Sequence, residues 1–159
     1  MPLRSSGSED PYVKAVDLLS RRDHTSVELT AKLKARGFQN TAIQEVLDRL
    51  VSQHLLDDRR FASRFVESAL ASGRAVGARL RFELQQKGIS RELADEVVSS
   101  ATAETVAEDS LALLVNRRFA DYEDKYATQK ERQRVYNFLM RRGFQLSTII
   151  GYFRNKDTE

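Results

Sequence analysis

Two histidines, a pair of adjacent aspartates and two arginine-rich runs are what this chain offers by way of chemistry, and their spacing decides what kind. His24 lies in "RRDHTSVEL" and His54 in "SQHLLDD". Neither belongs to an HExxH or similar pair that would set two ligands on one helix face. His24 reads as a turn or cap residue at a helix start. His54 falls near a helix end, where a partly positive ring suits the dipole. Asp57 and Asp58 are neighbours, so on a helix they point about 100° apart and cannot work as a carboxylate pair. With no cysteine in the chain, disulfides, thiol catalysis and thiolate metal sites are excluded, and a reducing compartment fits. The sequence has no Walker-type loop and no GxSxG. We expect no catalytic residue, no cofactor, no metal and therefore no enzyme.

The basic residues are more informative. Net charge is only +3, but it is unevenly spread. Between Arg74 and Lys87 stand Arg74, Arg79, Arg81 and Lys87 against the single acid Glu83. Between Arg117 and Arg142 the bases Arg117, Arg118, Lys125, Lys130, Arg132, Arg134, Arg141 and Arg142 outnumber Asp121, Glu123, Asp124 and Glu131 by four. Such surfaces suit a polyanion or an acidic protein face. The plainer reading is a solvated helix surface. Phe61, Phe65, Phe82, Phe119, Phe138 and Phe144 fall mostly on apolar stripes and are expected in the core. Tyr122 and Tyr126, four apart in "DYEDKY", and Tyr152 are the aromatics free to meet a partner.

Helices must position these residues. Both prolines, Pro2 and Pro11, precede Tyr12, so nothing further along removes a backbone donor. Tyr12, Ala15, Val16 and Leu19 follow the i, i+3, i+4, i+7 pattern, as do Ile43, Val46, Leu47 and Leu50. No stretch alternates as a strand would, and the fold class is all-α. No apolar run approaches the roughly 18 residues that span a membrane, and "MPLRSSGSED" carries no apolar leader. The expectation is a cytoplasmic protein. In "LLDDRRFASRFV", Asp57 or Asp58 is placed to cap a helix. Phe61, Ala62, Phe65, Val66, Ala69 and Leu70 form its buried stripe, and Gly73 closes it.

One unit recurs three times. "ELTAKLKARGFQNTAIQEVLDRL", "RLRFELQQKGISRELADEVVSSA" and "RVYNFLMRRGFQLSTIIGYFRNK" align on Gly37, Gly88 and Gly143. Leu33, Leu84 and Leu139 stand four residues before the glycine, and Arg36, Lys87 and Arg142 one before. Phe38, Ile89 and Phe144 follow it. This is helix-end chemistry: glycine takes the left-handed position, the apolar residue folds back, and the base offsets the dipole. Asn40 or Thr41, Ser90 and Ser147 are placed to open the next helix. Thr25 with Glu28 makes a capping-box pattern. The first repeat is expected to run as helices 12–21, 26–36 and 41–53. We divide the chain into an N-terminal tail (1–11) and repeats over 12–56, 57–101 and 102–156. Units of about 45–55 residues are marginal alone, so their apolar faces should be shared.

Four segments, "LLSRRDHTSVELTAKLKARGF", "LLDDRRFASRFVES", "RLRFELQQKGIS" and "NFLMRRGF", occur in the order seen in the RecX family, the bacterial regulators of the RecA recombinase, which this chain resembles from Tyr12 to Phe153. Two departures affect turns. His54-Leu55 replaces the family's Gly-Tyr before Leu-Asp-Asp, and Val76 stands where a glycine is usual. The resemblance implies three tandem three-helix repeats in an elongated, curved module. It implies binding to RecA, in the groove of its filament on single-stranded DNA, with inhibition of ATP hydrolysis, filament extension and strand exchange. Recombination, DNA repair and the SOS response would be modulated. On this reading Arg74, Arg79, Arg81, Lys87, Arg132, Arg134, Arg141 and Arg142 form the face toward RecA or DNA, and reversing Arg79 and Arg81 should weaken binding. Asp57, Asp58 and Phe61 hold the second repeat against the first. The chain is expected to be a monomer away from membranes. The alternatives are a helical protein acting by direct DNA contact and an adaptor for an unrelated acidic protein. "NTAIQEV", "SRELADEV" and "STIIGYF" carry few base-reading groups, which disfavours the first.

Overall fold

The computed structural model describes residues 9–104, 107–156 and 158. Among these the backbone forms nine α-helices and no strand. They are α1 Pro11–Arg21, α2 Ser26–Lys34, α3 Asn40–Ser52, α4 Asp58–Ala71, α5 Gly77–Gln86, α6 Arg91–Glu104, α7 Ala107–Arg118, α8 Gln129–Arg141 and α9 Leu146–Lys156. The repeat glycines follow α2, α5 and α8, so each repeat contributes three helices. The described residues gather into two compact units. One holds residues up to Phe61 together with Lys87–Ile89; the other holds Ala62–Gln86 and the residues from Ser90 onward.

In the first unit α1, α2 and α3 pack pairwise around Ala15, Leu18, Leu29, Leu33, Ile43, Val46, Leu50 and Leu56. Each buried leucine of this kind contributes about 1.5–3 kcal/mol. Asp10 caps α1 by accepting the Tyr12 N–H at 2.8 Å, and Pro11 occupies a position whose N–H would be unsatisfied anyway. The Thr25 hydroxyl oxygen accepts the Glu28 N–H at 3.1 Å and donates to the Lys87 carbonyl at 2.6 Å. The two aspartates divide their work. Asp57 accepts the Arg60 N–H at 2.9 Å and starts α4, whereas Asp58 accepts the Ser26 N–H at 2.8 Å in the first turn of α2. Phe61 is buried, with the Lys87 ammonium 5.9 Å from its ring centroid.

In the second unit α5 packs on α6, and α7 and α8 both pack on α9. Leu80, Leu84, Ala94 and Val98 are buried along the first pair; Leu111, Val115, Val135, Leu139, Ile149 and Phe153 are buried along the others. Ser110 is buried too, and its hydroxyl donates to the Leu70 carbonyl at 3.4 Å.

The repeated turns explain why their residue types recur. Gly37, Gly88 and Gly143 have φ of +89°, +85° and +99°. At Gly37 and Gly143 the two closing bonds run from Phe38 to Leu33 and from Gly37 to Lys34, and from Phe144 to Leu139 and from Gly143 to Met140. Two of the turns do more. Thr25 and Val76 both precede their own repeat's glycine by twelve residues, and each reaches the glycine turn of the following repeat. Thr25 donates to the carbonyl of Lys87, and the Val76 N–H donates to the carbonyl of Arg142 at 2.9 Å. The approach is close enough that a Cβ on Gly88 would overlap Val27, and one on Gly143 would overlap the Val76 carbonyl oxygen; beside Gly37 there is open space.

Several expectations need correction. The N-cap of α3 is Gln39, without a side-chain bond, and α9 opens at Leu146, so Ser147 lies inside its first turn. Ser90 does cap, accepting the Leu93 N–H at 3.2 Å. The boundary drawn between Ala101 and Thr102 falls inside α6, because no residue there breaks a helix and the Thr102 hydroxyl bonds back to the Val98 carbonyl at 2.7 Å. Residues 1–8 of the expected tail lie outside the described residues, and Pro11 already belongs to α1. Phe82, placed in the core by its type, is 52% exposed. Tyr122 and Tyr126 lie in turns between α7 and α8, so their spacing is not helical. His54 keeps the turn that a glycine would make: its φ is +57°, and Arg60 donates to its carbonyl at 3.1 Å.

Three outcomes follow from these contacts. Gly37→Ala should cost only the left-handed backbone, about 1 kcal/mol, Gly88→Ala more, and Gly143→Ala most, at about 3 kcal/mol or above because backbone must move. Urea midpoints of the three variants give the order, and equal losses would contradict it. His54→Gly should raise stability by about 1 kcal/mol through relief of the left-handed side chain; an unchanged or lower midpoint would count against that strain. Acid should destabilise the chain in two stages. Burial keeps His24 below its ordinary 6.5. Burial pushes Glu28 up, but hydrogen bonding and charge from Arg22, with Lys87, hold it below its ordinary 4.5. Both groups take protons more readily when unfolded, so Tm should be level near neutral pH, then fall as pH drops through about 6.5 and again below about 4.5. A Tm unchanged between about pH 7 and pH 4 would refute this.

Candidate functional site

The basic residues singled out from the sequence are not one uniform free face. Arg74, in the turn after α4, and Arg79, in the first turn of α5, grip the same carboxylate: Glu83 lies 2.5 Å from Arg74 and 2.8 Å from Arg79. Burial alone would push the Glu83 carboxyl up, but hydrogen bonds from the two guanidiniums hold it below its ordinary value. Arg81 is turned to α6, with Asp95 at 2.9 Å and the Ser99 hydroxyl at 3.1 Å. Lys87 pairs with Glu28 at 3.6 Å. Arg132 reaches Asp124 twice, at the carboxylate (3.2 Å) and at the carbonyl (2.6 Å). Among the described residues Arg134, Arg141 and Arg142 have no ion-pair partner. Arg142 lies over the Phe138 ring at 5.0 Å.

The fold brings part of the two basic runs together. The bond from Val76 N–H to the Arg142 carbonyl sets the start of α5 on the end of α8, and the Arg79 Cβ stands 3.0 Å from where a Gly143 Cβ would be. Arg74 and Arg79 thus share Glu83 at one joint of the second unit, where the Arg142 backbone meets the start of α5 and its guanidinium lies over Phe138. Lys87 belongs to the first unit, and Arg81 is engaged with α6. Reversing Arg79 and Arg81 together would place a new acid against Asp95, so that pair of changes would disturb packing as well as the surface. Ion pairs as exposed as those of Arg74 and Arg79 are worth about 0–1 kcal/mol, little enough for an incoming anion to exchange with them.

Some features escaped the sequence reading. Phe82 is exposed, 5.6 Å from the Arg79 guanidinium, and adds an apolar ring to this cluster. Thr128 and Glu131 form a complete capping box that starts α8, and the T-x-x-E spacing was there to be read. Asp124 is a hub that accepts from Tyr122 at 2.5 Å and Tyr136 at 3.1 Å as well as from Arg132; burial and then this carboxylate raise the Tyr122 hydroxyl well above its ordinary value. That network fixes the irregular segment between α7 and α8. Tyr126 is 74% exposed, whereas Tyr152 is half-buried beside Phe153. No group of three metal-binding side chains occurs among the described residues, and no described helix is long and apolar enough to cross a membrane. The arrangement can bind anions and present rings.

Known proteins show the same organisation. Residues 12–50, 57–98 and 107–151 match, in order, the first, second and third three-helix domains described for RecX. The regulatory protein RecX of Syntrophotalea carbinolica is 35% identical over 144 residues, covering 91% of this chain and 94% of its own. That of Trichlorobacter lovleyi is 33% identical over 149 residues, covering 94% and 97%. The crystal structure of RecX from Lactobacillus salivarius superimposes with a TM-score of 0.75 over 94% of this chain and 96% of that one; at 19% identity it speaks for the fold. With three matched domains in the right order, and relatives of this identity matched along nearly their whole length, the chain belongs to the RecX family.

Proposed function

We propose that this protein is a regulator that binds the RecA recombinase and its filament on single-stranded DNA, in the filament groove, and suppresses ATP hydrolysis, filament extension and strand exchange. It would act in the cytoplasm as a monomer and modulate recombination, DNA repair and the SOS response. The observation that carries this reading is the end-to-end match to relatives named regulatory protein RecX. The arginine cluster at the joint of α5 and α8 supports it physically. Arg74 and Arg79, with exposed Phe82 beside Arg79, set basic groups next to an apolar ring, suited to an acidic protein face or to phosphate. Inhibition requires more than tight binding. The protein must prefer one state of the filament, since a ligand with equal affinity for two states shifts neither.

Titrating the protein into RecA hydrolysing ATP on single-stranded DNA tests this directly. Hydrolysis should fall. A fall well below one protein per RecA subunit would indicate a block to filament growth, and a fall only near equality would indicate binding along the groove. Unchanged hydrolysis together with binding to bare DNA would move the reading to the DNA-binding alternative. Arg79→Ala leaves Glu83 paired with Arg74, so far-UV circular dichroism should not change, while roughly tenfold more protein should be needed for half inhibition, the scale of a lost charge-assisted contact. Full potency in Arg79→Ala would remove the joint from the interface.

A further inference from the structure

Three aliphatic side chains of the second unit stand in solvent close to one another. Met140 near the end of α8 is 38% exposed, and Leu146 and Ile150 on α9 are 48% and 40% exposed. Apolar residues scattered singly over a surface need no explanation, but these share a site. Met140 and Leu146 line one cleft of about 560 Å³, where α8 meets the start of α9, together with Gln129, Arg132, Gln133 and Tyr136. Ile150 follows Leu146 by one helical turn, about 6 Å along the same face of α9. The floor of the cleft is held in place. Tyr136 stacks on Phe153, with centroids 5.7 Å apart and planes 8° from parallel, and its hydroxyl donates to Asp124 at 3.1 Å.

The surroundings carry charge of one sign. From Arg132 to Lys156 the sequence has the bases Arg132, Arg134, Arg141, Arg142, Arg154 and Lys156 and no acid. Asp124, from the segment before α8, is spent on Arg132, Tyr122 and Tyr136. Arg154 continues the row of Leu146 and Ile150 by one more turn. An aliphatic strip in a positive field is matched by an object that is apolar on one side and acidic on its flanks. An amphipathic helix carries both at fixed spacing. Other occupants fit less well. An extended peptide needs a sheet edge to bond with, and the described residues form no strand. A nucleic-acid strand is held by ring stacking, whereas the exposed apolar groups here are aliphatic. A lipid surface is flat and would leave the cleft unfilled.

We propose that this face of α8 and α9 is a docking groove for an acidic amphipathic helix of a partner protein. Apolar residues spaced i, i+3, i+4 and i+7 on that helix seat on Met140, Leu146 and Ile150, and its flanking acids face Arg154. Met140 is unbranched and polarizable, so it adapts to whichever apolar side chain it meets. The groove lies apart from the Arg74 and Arg79 joint. RecA is absent from the test below, so its result stands independently of the hydrolysis assay.

Full-length protein is titrated, by anisotropy, into labelled peptides of about 18 residues, long enough to form a helix. One carries leucines at i, i+3, i+4 and i+7 with glutamate on the remaining faces; a twin has lysine for glutamate, and a third has the leucines scrambled. The glutamate peptide should bind, and the other two should bind at least tenfold more weakly. Leu146→Ser should weaken the glutamate peptide roughly tenfold, and Ile150→Glu further, because its new acid opposes those of the peptide. Far-UV circular dichroism checks folding, and Met140→Ser serves if Ile150→Glu fails to fold. Val13→Glu, at an apolar position of α1 that is 61% exposed, should have no effect. Phosphatidylglycerol vesicles and a thymidine oligonucleotide are run against the same variants. Failure of the glutamate peptide to bind, equal binding of its lysine twin, or equal losses in Ile150→Glu and Val13→Glu would overturn the proposal. So would an Ile150→Glu variant that loses vesicle or oligonucleotide binding and keeps the peptide.

Discussion

The backbone carbonyl just before the repeat glycine is the contact on which the rest of this structure depends. A helix end leaves its last carbonyls without partners in the helix, and a glycine turn satisfies only some of them. Here the carbonyls of Lys87 and Arg142 take hydrogen bonds from the helix start of the preceding repeat, from the Thr25 hydroxyl in one case and the Val76 N–H in the other. One bond thus answers an unmet acceptor at one helix end and anchors the start of another helix. It works only because no side chain stands on the glycine. This makes the glycines of the second and third repeats structural in a way that Gly37 is not, since nothing approaches it.

The same joint organises the charge. A basic residue precedes each glycine because it offsets the negative helix end, so bringing α5 onto the α8 turn also brings the Arg142 backbone close to Arg79. Several of the other arginines answer to acids within the fold. Arg81 holds α5 to α6, and Arg132 secures the irregular segment through Asp124. Among the described residues Arg118, Arg134, Arg141 and Arg142 have no ion-pair partner, and Phe82 stands exposed on α5. A count of basic residues along the sequence overstates the available surface because it cannot subtract the ion pairs.

The helices and the repeat were legible because they rest on local chemistry. Period-3.6 stripes, a leucine four residues before a glycine and an apolar residue after it are satisfied within a few residues of chain. The same holds for a helix cap at Asp57 or Asp58. Errors arose where two local answers were nearly equal in energy. Asn40 and Ser147 are plausible caps, yet α3 begins one residue sooner than such a cap would give, without a side-chain cap, and α9 two residues sooner. Thr102 can start a helix or sit within one, and here its hydroxyl bonds to the turn behind it.

By itself, then, the sequence determined an all-α chain of three related units, its turn positions and its apolar faces, because each depends on neighbours along the chain. Only the tertiary structure decided which aspartate caps its own helix and which caps α2, and which arginines are spent on carboxylates. It also decided that Phe82 faces solvent while Phe144 is buried. Several of those outcomes depend on groups on other helices, as with Ser26 and Asp58 or Arg81 and Asp95. No local pattern encodes such pairs, since the energy that selects them exists only once the helices are in contact.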